Sequence, residues 1–324
     1  MGRRFTNHYI RNTRRGSLDF LLWQLGYFQD ILPHVVPPAN FSYPYRAEEV
    51  NLDRPMVTWV NHATFFIDAY DVKILTDPHW SKRCSPISII GPKRQHAPPM
   101  EVEELEGVDF VIISHNHYDH LDARTVDLLH RRFPSIVWVV PLGLKKWFNR
   151  RGIHKVRELR WWEEAEFTLG KTLPKVTFTS VPAQHNSGRT LFDQDKTLWM
   201  GVVAKIAPSV HPVKTVYFVG DSAYNGFDFK KIGERFSSLD LCLCPIGTYK
   251  PERFMRTVHS SPQDAVNIHE DTKAKLSIGM HWKTFKLSSE HQYQPPFDLY
   301  REMKKRRLNP NTFIAIEPGV TLNW

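Results

Sequence analysis

The chain has 324 residues, 41% of them hydrophobic and 24% charged, so it can bury a sizeable core and is not disordered by composition. Its 43 basic and 34 acidic residues give a formal charge of +9, which allows an anionic partner without identifying one. The basic residues are scattered and form no aromatic-interleaved stripe, so no nucleic-acid partner is expected.

Residues 1–50 differ in composition from the rest of the chain. The stretch RRGSLDFLLWQLGYFQDILP predicts a helix with Ser17 as N-cap and Pro33 as its stop. We expect this helical and then extended segment to pack on the main domain. Contact with a membrane surface is the alternative, because the apolar arc of the helix is broad and arginines precede it. No stretch approaches about 18 uninterrupted apolar residues and no signal peptide is evident, so we expect a cytoplasmic protein that is peripheral on membranes if this helix contacts lipid.

Residues 51–324 alternate short apolar runs with helical segments, which predicts one α/β domain. Ten stretches predict strands: MVTWVNHATFFI, VKILTDP, FVIIS, IVWVVP, KVTFTSVP, LWMGVVAKI, TVYFVGDS, LCLCPIG, KLSIGMH and TFIAIEPG. Two helices are predicted between them. DARTVDLLHRRF has Asp122 as N-cap, and SSPQDAVNIHEDT has Ser261 as N-cap followed by Pro262.

The three cysteines are too few and too ill-placed for a disulfide framework. Cys242 and Cys244 alternate within one of the predicted strands, where we interpret them as core thiols. A reducing compartment follows from this interpretation.

The stretch VIISHNHYDHLD places several metal-binding side chains directly after a predicted buried strand. His115 and His117 are two residues apart, so an extended backbone points them the same way, and Asp119 and His120 follow as the chain turns toward the helix. One segment could therefore serve two adjacent metals. Imidazole and carboxylate suit zinc, iron or manganese, and the absence of thiolates argues against a structural zinc finger.

One segment cannot complete two metal sites, so further ligands are expected at other strand ends. Three candidates lie at the ends of other predicted strands: His185, Asp221 and His281. With the dense motif they make a set of five histidines and two aspartates.

This combination resembles the metallo-β-lactamase superfamily and, within it, the family of N-acylphosphatidylethanolamine-hydrolysing phospholipases D. The first motif is typical of the whole superfamily, and later phrases are more selective: GPKR, VPLGL, WWEE, PAQH, PIGTYKPERFM and MHWKTFKLSSEH. The resemblance implies an α/β fold, the αβ/βα four-layer sandwich, with a dinuclear metal site.

The resemblance also implies how the ligands divide between two zinc ions per chain, with iron or manganese as open alternatives. His115, His117 and His185 would hold one ion, and Asp119, His120 and His281 the other. Asp221 would bridge the pair, so that Asp119 and Asp221 are catalytic residues as well as ligands.

Three further positions are carried over as expectations. His259 matches a histidine near the active site of the family and is a candidate for substrate contact or general acid. Arg189 matches an arginine linked to amphiphile binding, and Tyr224 is expected to line the pocket. The chain departs from better-known members at residues 186–188, which puts its lipid preference in doubt.

The sequence thus predicts a zinc-dependent, phospholipase D-type phosphodiesterase. It would hydrolyse N-acylphosphatidylethanolamine at a membrane surface to N-acylethanolamine and phosphatidic acid. The alternative is a soluble hydrolase of small phosphorylated or lactone substrates on the same fold. Acyl-chain and head-group preference stay open, as does the oligomeric state, a homodimer included.

Overall fold

A computed structural model of the chain describes residues 4–10, 35–39, 41–170, 174–190 and 192–324. The predicted helix between Ser17 and Pro33 lies outside these ranges. The described strands are β1 (Met56–Asn61), β2 (Thr64–Ala69), β3 (Val72–Thr76), β4 (Phe110–Ile112), β5 (Val137–Pro141), β6 (Val156–Leu159), β7 (Glu164–Thr168), β8 (Lys175–Val181), β9 (Gly201–Ala207), β10 (Lys214–Phe218), β11 (Leu239–Pro245), β12 (Ala274–Met280), β13 (Phe313–Ile314) and β14 (Thr321–Asn323). The described helices are α1 (Ala123–Arg132), α2 (Lys145–Asn149), α3 (Asp228–Phe236), α4 (Glu252–Met255), α5 (Pro262–Thr272) and α6 (Gln294–Lys305).

The strands form two seven-stranded sheets with the same internal pattern. The order is β14-β1-β2-β3-β4-β5-β6 in the first sheet and β13-β12-β11-β10-β9-β8-β7 in the second. In the first sheet the pairs from β14 to β3 are antiparallel and those from β3 to β6 are parallel. In the second, the pairs from β7 to β10 are antiparallel and those from β10 to β13 are parallel.

The two sheets pack face to face and helices cover their outer faces, which gives the predicted α/β four-layer sandwich. Phe110 of β4 contacts Phe178 of β8 across the interface, with ring centroids 4.9 Å apart. Outside the first sheet, Trp138 of β5 packs on Phe148 of α2 in a second buried cluster. Helices α3, α5 and α6 bury apolar side chains against the second sheet.

Local signals in the sequence account for the two predicted helices. Helix α1 begins after Asp122, whose side chain accepts a hydrogen bond from the main-chain N–H of Arg124. Helix α5 begins with Pro262 after Ser261, whose hydroxyl accepts from the N–H of Asp264. Both N-cap predictions are confirmed.

The first predicted strand is in fact two. MVTWVNHATFFI folds into β1 and β2, which pair in antiparallel register around a turn at residues 62–63. His62 occupies this turn with a φ of 42°, a conformation that side chains other than glycine rarely adopt. The usual Asn-Gly or Asp-Gly signal of a tight hairpin is absent here, which is why the pattern looked like one continuous strand.

Parts of residues 1–50 contact the domain where the structure describes them. The main-chain N–H of Phe5 donates to the carbonyl of Asp195 at 2.8 Å. Tyr43 is buried, and its hydroxyl donates to the carbonyl of Phe313. The division at residue 50 itself stays a prediction. In the described ranges, no helix combines the length and apolar character needed to cross a bilayer.

Candidate metal centre

Three histidine nitrogens converge just beyond the carboxyl ends of β4 and β8. Nδ1 of His117 lies 2.8 Å from Nε2 of His115 and 3.2 Å from Nε2 of His185. A tetrahedral zinc with Zn–N bonds of about 2.0–2.1 Å would set its nitrogens about 3.3 Å apart. The three side chains therefore fit one metal ion with little rearrangement, and we call them the three-histidine cluster.

A second group of donor atoms lies beside the first. Nε2 of His120 is 3.2 Å from Nε2 of His281, and Oδ2 of Asp119 is 3.4 Å from each of these nitrogens. The side chains of His120 and His281 are buried, with 0% and 1% of the residue surface exposed. We call this set, which joins the first half of the chain to the second, the mixed cluster.

Asp221 lies between the two clusters. Its Oδ2 is 3.2 Å from Nε2 of both His120 and His281, and 3.7 Å from Nε2 of His185. Its Oδ1 is buried without a hydrogen-bond partner among the described residues. Because buried carboxylate oxygens normally have a partner, the lack of one in the described ranges indicates a site at which this oxygen can coordinate a cation. The donor set therefore fits a metal pair bridged by Asp221.

The outer nitrogen of four of the histidines is held by a hydrogen bond, which leaves Nε2 for the centre. These bonds run from Nδ1 of His115 to Oγ of Ser114 (2.9 Å), of His120 to Oδ2 of Asp77 (2.6 Å), of His185 to the carbonyl of Val258 (2.8 Å) and of His281 to Oγ1 of Thr248 (3.1 Å). Such outer partners fix the tautomer and ring direction of metal-binding histidines. His117 differs, because its Nδ1 faces the cluster.

The electrostatics of the two clusters differ. Burial, together with neighbouring imidazoles, holds the pKa of His115 and of His185 well below the usual range, so both rings are neutral and offer lone pairs. Burial opposes ionisation of Asp221, but His120 and His281 outweigh it and hold its pKa well below the usual range. Burial acts to lower the pKa of His281, but the charge of Asp221, together with hydrogen bonds to Asp119 and Asp221, outweighs burial and raises the pKa to about 9. The mixed cluster thus attracts positive charge, which a metal ion supplies in place of a proton.

Two residues with positive φ, Gly220 and His281, place Asp221 and the ring of His281 at the metal centre. Gly220 precedes Asp221 with a φ of 65°, and a Cβ there would lie 2.7 Å from Cβ of Ser114. His281 has a φ of 65° although it is not glycine, and its main-chain N–H donates to the carbonyl of His62 at 2.9 Å. Such strain in a non-glycine residue persists where surrounding contacts enforce it.

Asp77 is a site residue that the sequence reasoning missed. It follows β3 and is fully buried, and its Oδ2 accepts from His120 and from the hydroxyl of Ser114. Because Ser114 in turn accepts from His115, one carboxylate supports a ligand in each cluster. Its position at the end of the predicted strand VKILTDP was the available signal.

His62 was also missed. Its Nε2 lies 3.0 Å from Oδ2 of Asp119, and its ring centroid is 4.0 Å from that of His281. Burial lowers the pKa of His62 to about 3, so the ring is neutral and can donate an N–H to the carboxylate. A single histidine with no neighbouring motif gave no reason to select it from the sequence.

The three expected substrate contacts are placed unequally. His259 is close to the metal centre: its Nδ1 is 3.7 Å from Oδ2 of Asp221. Burial lowers the pKa of His259 to about 4. The hydroxyl of Tyr224 instead donates to Asp271 at 2.7 Å, which turns its polar atom toward α5.

Arg189 supports the ligand-bearing loop. One guanidinium nitrogen donates to the carbonyls of Asn116 (3.0 Å) and Leu121 (2.8 Å), and the cation lies 3.9 Å from the ring centroid of Tyr118. The described partners of its guanidinium are thus main-chain carbonyls and a ring, whereas its main-chain N–H donates to Asp193. Its contact with substrate stays a prediction.

Comparison with known proteins agrees with this fold and site. The family model described as "Beta-lactamase superfamily domain" matches residues 72–282. N-acyl-phosphatidylethanolamine-hydrolyzing phospholipase D 1 of Caenorhabditis elegans is 40% identical over 297 residues, which cover 89% of this chain and 80% of the relative. The chain belongs to this phospholipase D family within the β-lactamase superfamily.

Other similarities are more distant. The mitochondrial N-acyl-phosphatidylethanolamine-hydrolyzing phospholipase D of Saccharomyces cerevisiae is 33% identical over 239 residues, 74% of this chain and 49% of the yeast protein. Among solved structures, a possible metal-dependent hydrolase of Veillonella parvula superposes with a TM-score of 0.63 at 19% identity, over 84% of this chain and all of that one. The last similarity shows the fold alone.

The predicted family, fold and enzyme class are therefore confirmed. As a member of the phospholipase D family, the chain is a metal-dependent hydrolase. The identity and the number of the metals stay predictions, as do the roles of the individual site residues.

Proposed function

We propose that the chain uses two zinc ions to hydrolyse N-acylphosphatidylethanolamine to phosphatidic acid and N-acylethanolamine. The substrate class is that of the relatives from Caenorhabditis elegans and Saccharomyces cerevisiae. The observation that carries the metal assignment is the position of Asp221 within 3.7 Å of donor nitrogens from both clusters. Seven ligands exceed what one tetrahedral site needs.

The proposed reaction combines the chemistry that bound metals would supply with three tasks of the chain's own residues. Bound metals would neutralise charge on the phosphoryl oxygens and lower the pKa of water to about 7, which supplies a nucleophile. Asp221 and Asp119 would hold the two ions, and Asp77 fixes the ring of a proposed ligand in each cluster. His259 lies beside Asp221, where it can contact the phosphate or the departing alcohol.

A basic cavity beside the ligand-bearing loop supports an anionic substrate. The cavity has a volume of about 660 Å³ and is bordered by Tyr118, which lies between two ligands. Five cationic side chains line it: Lys82, Arg83, Arg124, Arg151 and Arg189. A phosphate-bearing head group matches this charge.

An exposed apolar loop on the same side supports a membrane-bound substrate. Ile87, Ile89 and Ile90 are 50%, 76% and 63% exposed, and the loop that carries them borders the basic cavity. The base of the loop is fixed, because Arg83 and Lys93 form a β-bridge. Apolar side chains flanked by cations favour contact with an anionic lipid surface.

Product analysis tests the proposal. Purified protein loaded with Zn²⁺ and incubated with N-acylphosphatidylethanolamine micelles should yield phosphatidic acid and N-acylethanolamine by mass spectrometry. In oxygen-18 water the label should enter phosphatidic acid, because water attacks phosphorus and the P–O bond to the ethanolamine oxygen breaks. The departing oxygen takes up a proton and leaves as an unlabelled alcohol.

Three results would contradict the proposal. Diacylglycerol among the products would mean cleavage on the other side of phosphorus. Label in the N-acylethanolamine would mean attack at carbon. No turnover of any N-acylated phospholipid, together with opening of a phosphorylated lactone, would favour the soluble-hydrolase alternative.

A further inference from the structure

Residues 4–10 lie against the loops that carry the ligands of the second sheet. The ring of His8 lies 4.5 Å from that of Trp161, and its Nδ1 is 3.1 Å from Oδ1 of Asp228. The ring of Tyr9 stacks on that of Phe227 at 4.7 Å. These contacts fix the path of the segment after Asn7, and the bond from the N–H of Phe5 to the carbonyl of Asp195 fixes it before Asn7.

Asn7 forms a pair of reciprocal hydrogen bonds with the main chain of one metal ligand. Its Nδ2 donates to the carbonyl of His185 at 2.8 Å, and its Oδ1 accepts from the N–H of His185 at 3.1 Å. The same Oδ1 accepts from Nε1 of Trp199 at 3.0 Å. A side-chain amide carries both N–H donors and an acceptor oxygen, so Asn7 reproduces one rung of an antiparallel β-ladder with the main chain of His185.

His185 needs such a partner because it lies beyond the end of its strand. The ladder of β8 ends at Val181, and His185 is buried with 1% of its surface exposed. Its ring is already fixed by the bond from Nδ1 to the carbonyl of Val258. With its backbone fixed by Asn7, Nε2 is directed at the three-histidine cluster, 3.2 Å from Nδ1 of His117.

We infer that Asn7 is a positioning residue of the metal centre, acting through the backbone of His185. The inference rests on the proposed function in one respect, that His185 binds a metal. The segment at residues 4–10 then supports the metal centre through Asn7 alone and is not a separate appendage. Loss of an outer partner of a metal-binding histidine typically weakens metal affinity by about 10–100-fold.

The test measures Zn²⁺ affinity directly, by competition with a chromophoric chelator, in full-length wild type and Asn7→Ala. We expect at least about tenfold weaker binding of one of two ions in Asn7→Ala, and a lower kcat with little change in KM. His8→Ala is the matched control, because it removes contacts of the same segment without touching His185. Its affinity for Zn²⁺ should stay within about twofold of wild type.

A second variant and a stability measurement separate positioning from folding. Asn7→Asp keeps the acceptor for the N–H of His185 but places a carboxylate oxygen against its carbonyl, so it should also bind Zn²⁺ more weakly than wild type. Thermal unfolding of the metal-free proteins should give similar Tm values for Asn7→Ala and His8→Ala. Equal Zn²⁺ affinity in wild type and Asn7→Ala would overturn the inference, as would equal losses in Asn7→Ala and His8→Ala.

The chelator assay needs no lipid, so it separates the inference from the proposed function. Weaker Zn²⁺ binding by Asn7→Ala in a protein that cleaves no N-acylated phospholipid would leave the role of Asn7 intact. Normal binding by Asn7→Ala in a protein that does cleave this lipid would refute the role of Asn7 alone.

Discussion

The two halves of the molecule repeat one strand pattern but supply the metal centre in different ways. Each sheet has three antiparallel pairs followed by three parallel pairs. The first half places four of the proposed ligands within residues 115–120, shortly after β4. The second half places one proposed ligand after each of three strands, as His185, Asp221 and His281.

This difference shows how one architecture can build a site by local or by distributed means. The loop at residues 115–120 depends on the conformation of one short segment. The single ligands depend on the register of β8, β10 and β12, which must end at the same edge of the second sheet. We therefore expect a change at Asp221 of the second half, which lies between the clusters, to affect both metals, and a change at His62 of the first half, which contacts only the mixed cluster, to affect one.

The largest effect is expected for Asp221→Asn, which removes the negative charge next to both clusters. Activity should fall by more than the roughly 100-fold that loss of an outer partner costs, with fewer than two metals retained per chain. Steady-state kinetics and elemental analysis after dialysis measure the two quantities. Asp240→Asn is a control in the same half, because Asp240 pairs with Lys275 outside the centre. If Asp221→Asn retained full activity and two metals, the proposal that Asp221 binds both metals would be wrong.

His259→Gln tests a second-half residue that holds no metal in the proposal. We expect a loss of about a hundredfold in kcat at unchanged metal content, because the residue acts on substrate. If His259 protonates the departing alcohol, the loss should shrink for a 4-nitrophenyl phosphodiester, whose leaving group needs no proton. Unchanged kcat and KM for both substrates would mean that His259 is only a neighbour of Asp221.

His62→Asn tests the first half. It removes the donor that lies 3.0 Å from Asp119, so the ion of the mixed cluster should bind about 10–100-fold more weakly while the other is retained. Stepwise chelation of Zn²⁺ resolves the two ions. His269→Asn is the matched control: this buried histidine bonds to Ser277 and lies outside both clusters. Equal affinity in His62→Asn and wild type would show that Asp119 needs no such support.

The smallest effect concerns the exposed loop of the first half. Replacing Ile89 and Ile90 together by serine should weaken binding to anionic vesicles by roughly tenfold. Turnover of a short-chain, non-vesicular substrate should not change. Val210→Ser is the control in the second half, since Val210 is 86% exposed outside this loop. Vesicle sedimentation measures the difference, and identical binding by all three proteins would show that the isoleucines do not contact lipid.

The site residues that could be predicted from the sequence are mainly those placed by local sequence patterns. The spacing of His115 to His120 is local and indicated a two-metal site directly. The second-half ligands were recognised because each follows an apolar run, and the family resemblance then divided them between the ions. Asp77, His62 and Asn7 were missed, because each acts through a contact between residues distant in sequence.

The fold shows the same limit. Helices α1 and α5 have strong N-caps and were predicted, whereas α3 and α6 were not. Helix α3 has no side-chain hydrogen bond at its N-cap, Phe227, and α6 has none at Tyr293. The repeated strand pattern leaves no visible repeat in the sequence, because the pairing scheme is shared while the side chains differ.

The pairing of β1 with β14 has a consequence for how the protein is made. Thr58 bonds to Thr321, 263 residues further along the chain, so the first sheet cannot close until the last strand has left the ribosome. His120 likewise precedes its neighbour His281 by 161 residues, which take roughly 8–32 s to translate at about 5–20 residues per second. During that interval the nascent chain exposes four ligands and an unpaired strand edge. During synthesis, the incomplete metal site must therefore be protected from premature binding of ions, and the unpaired strand edge from aggregation.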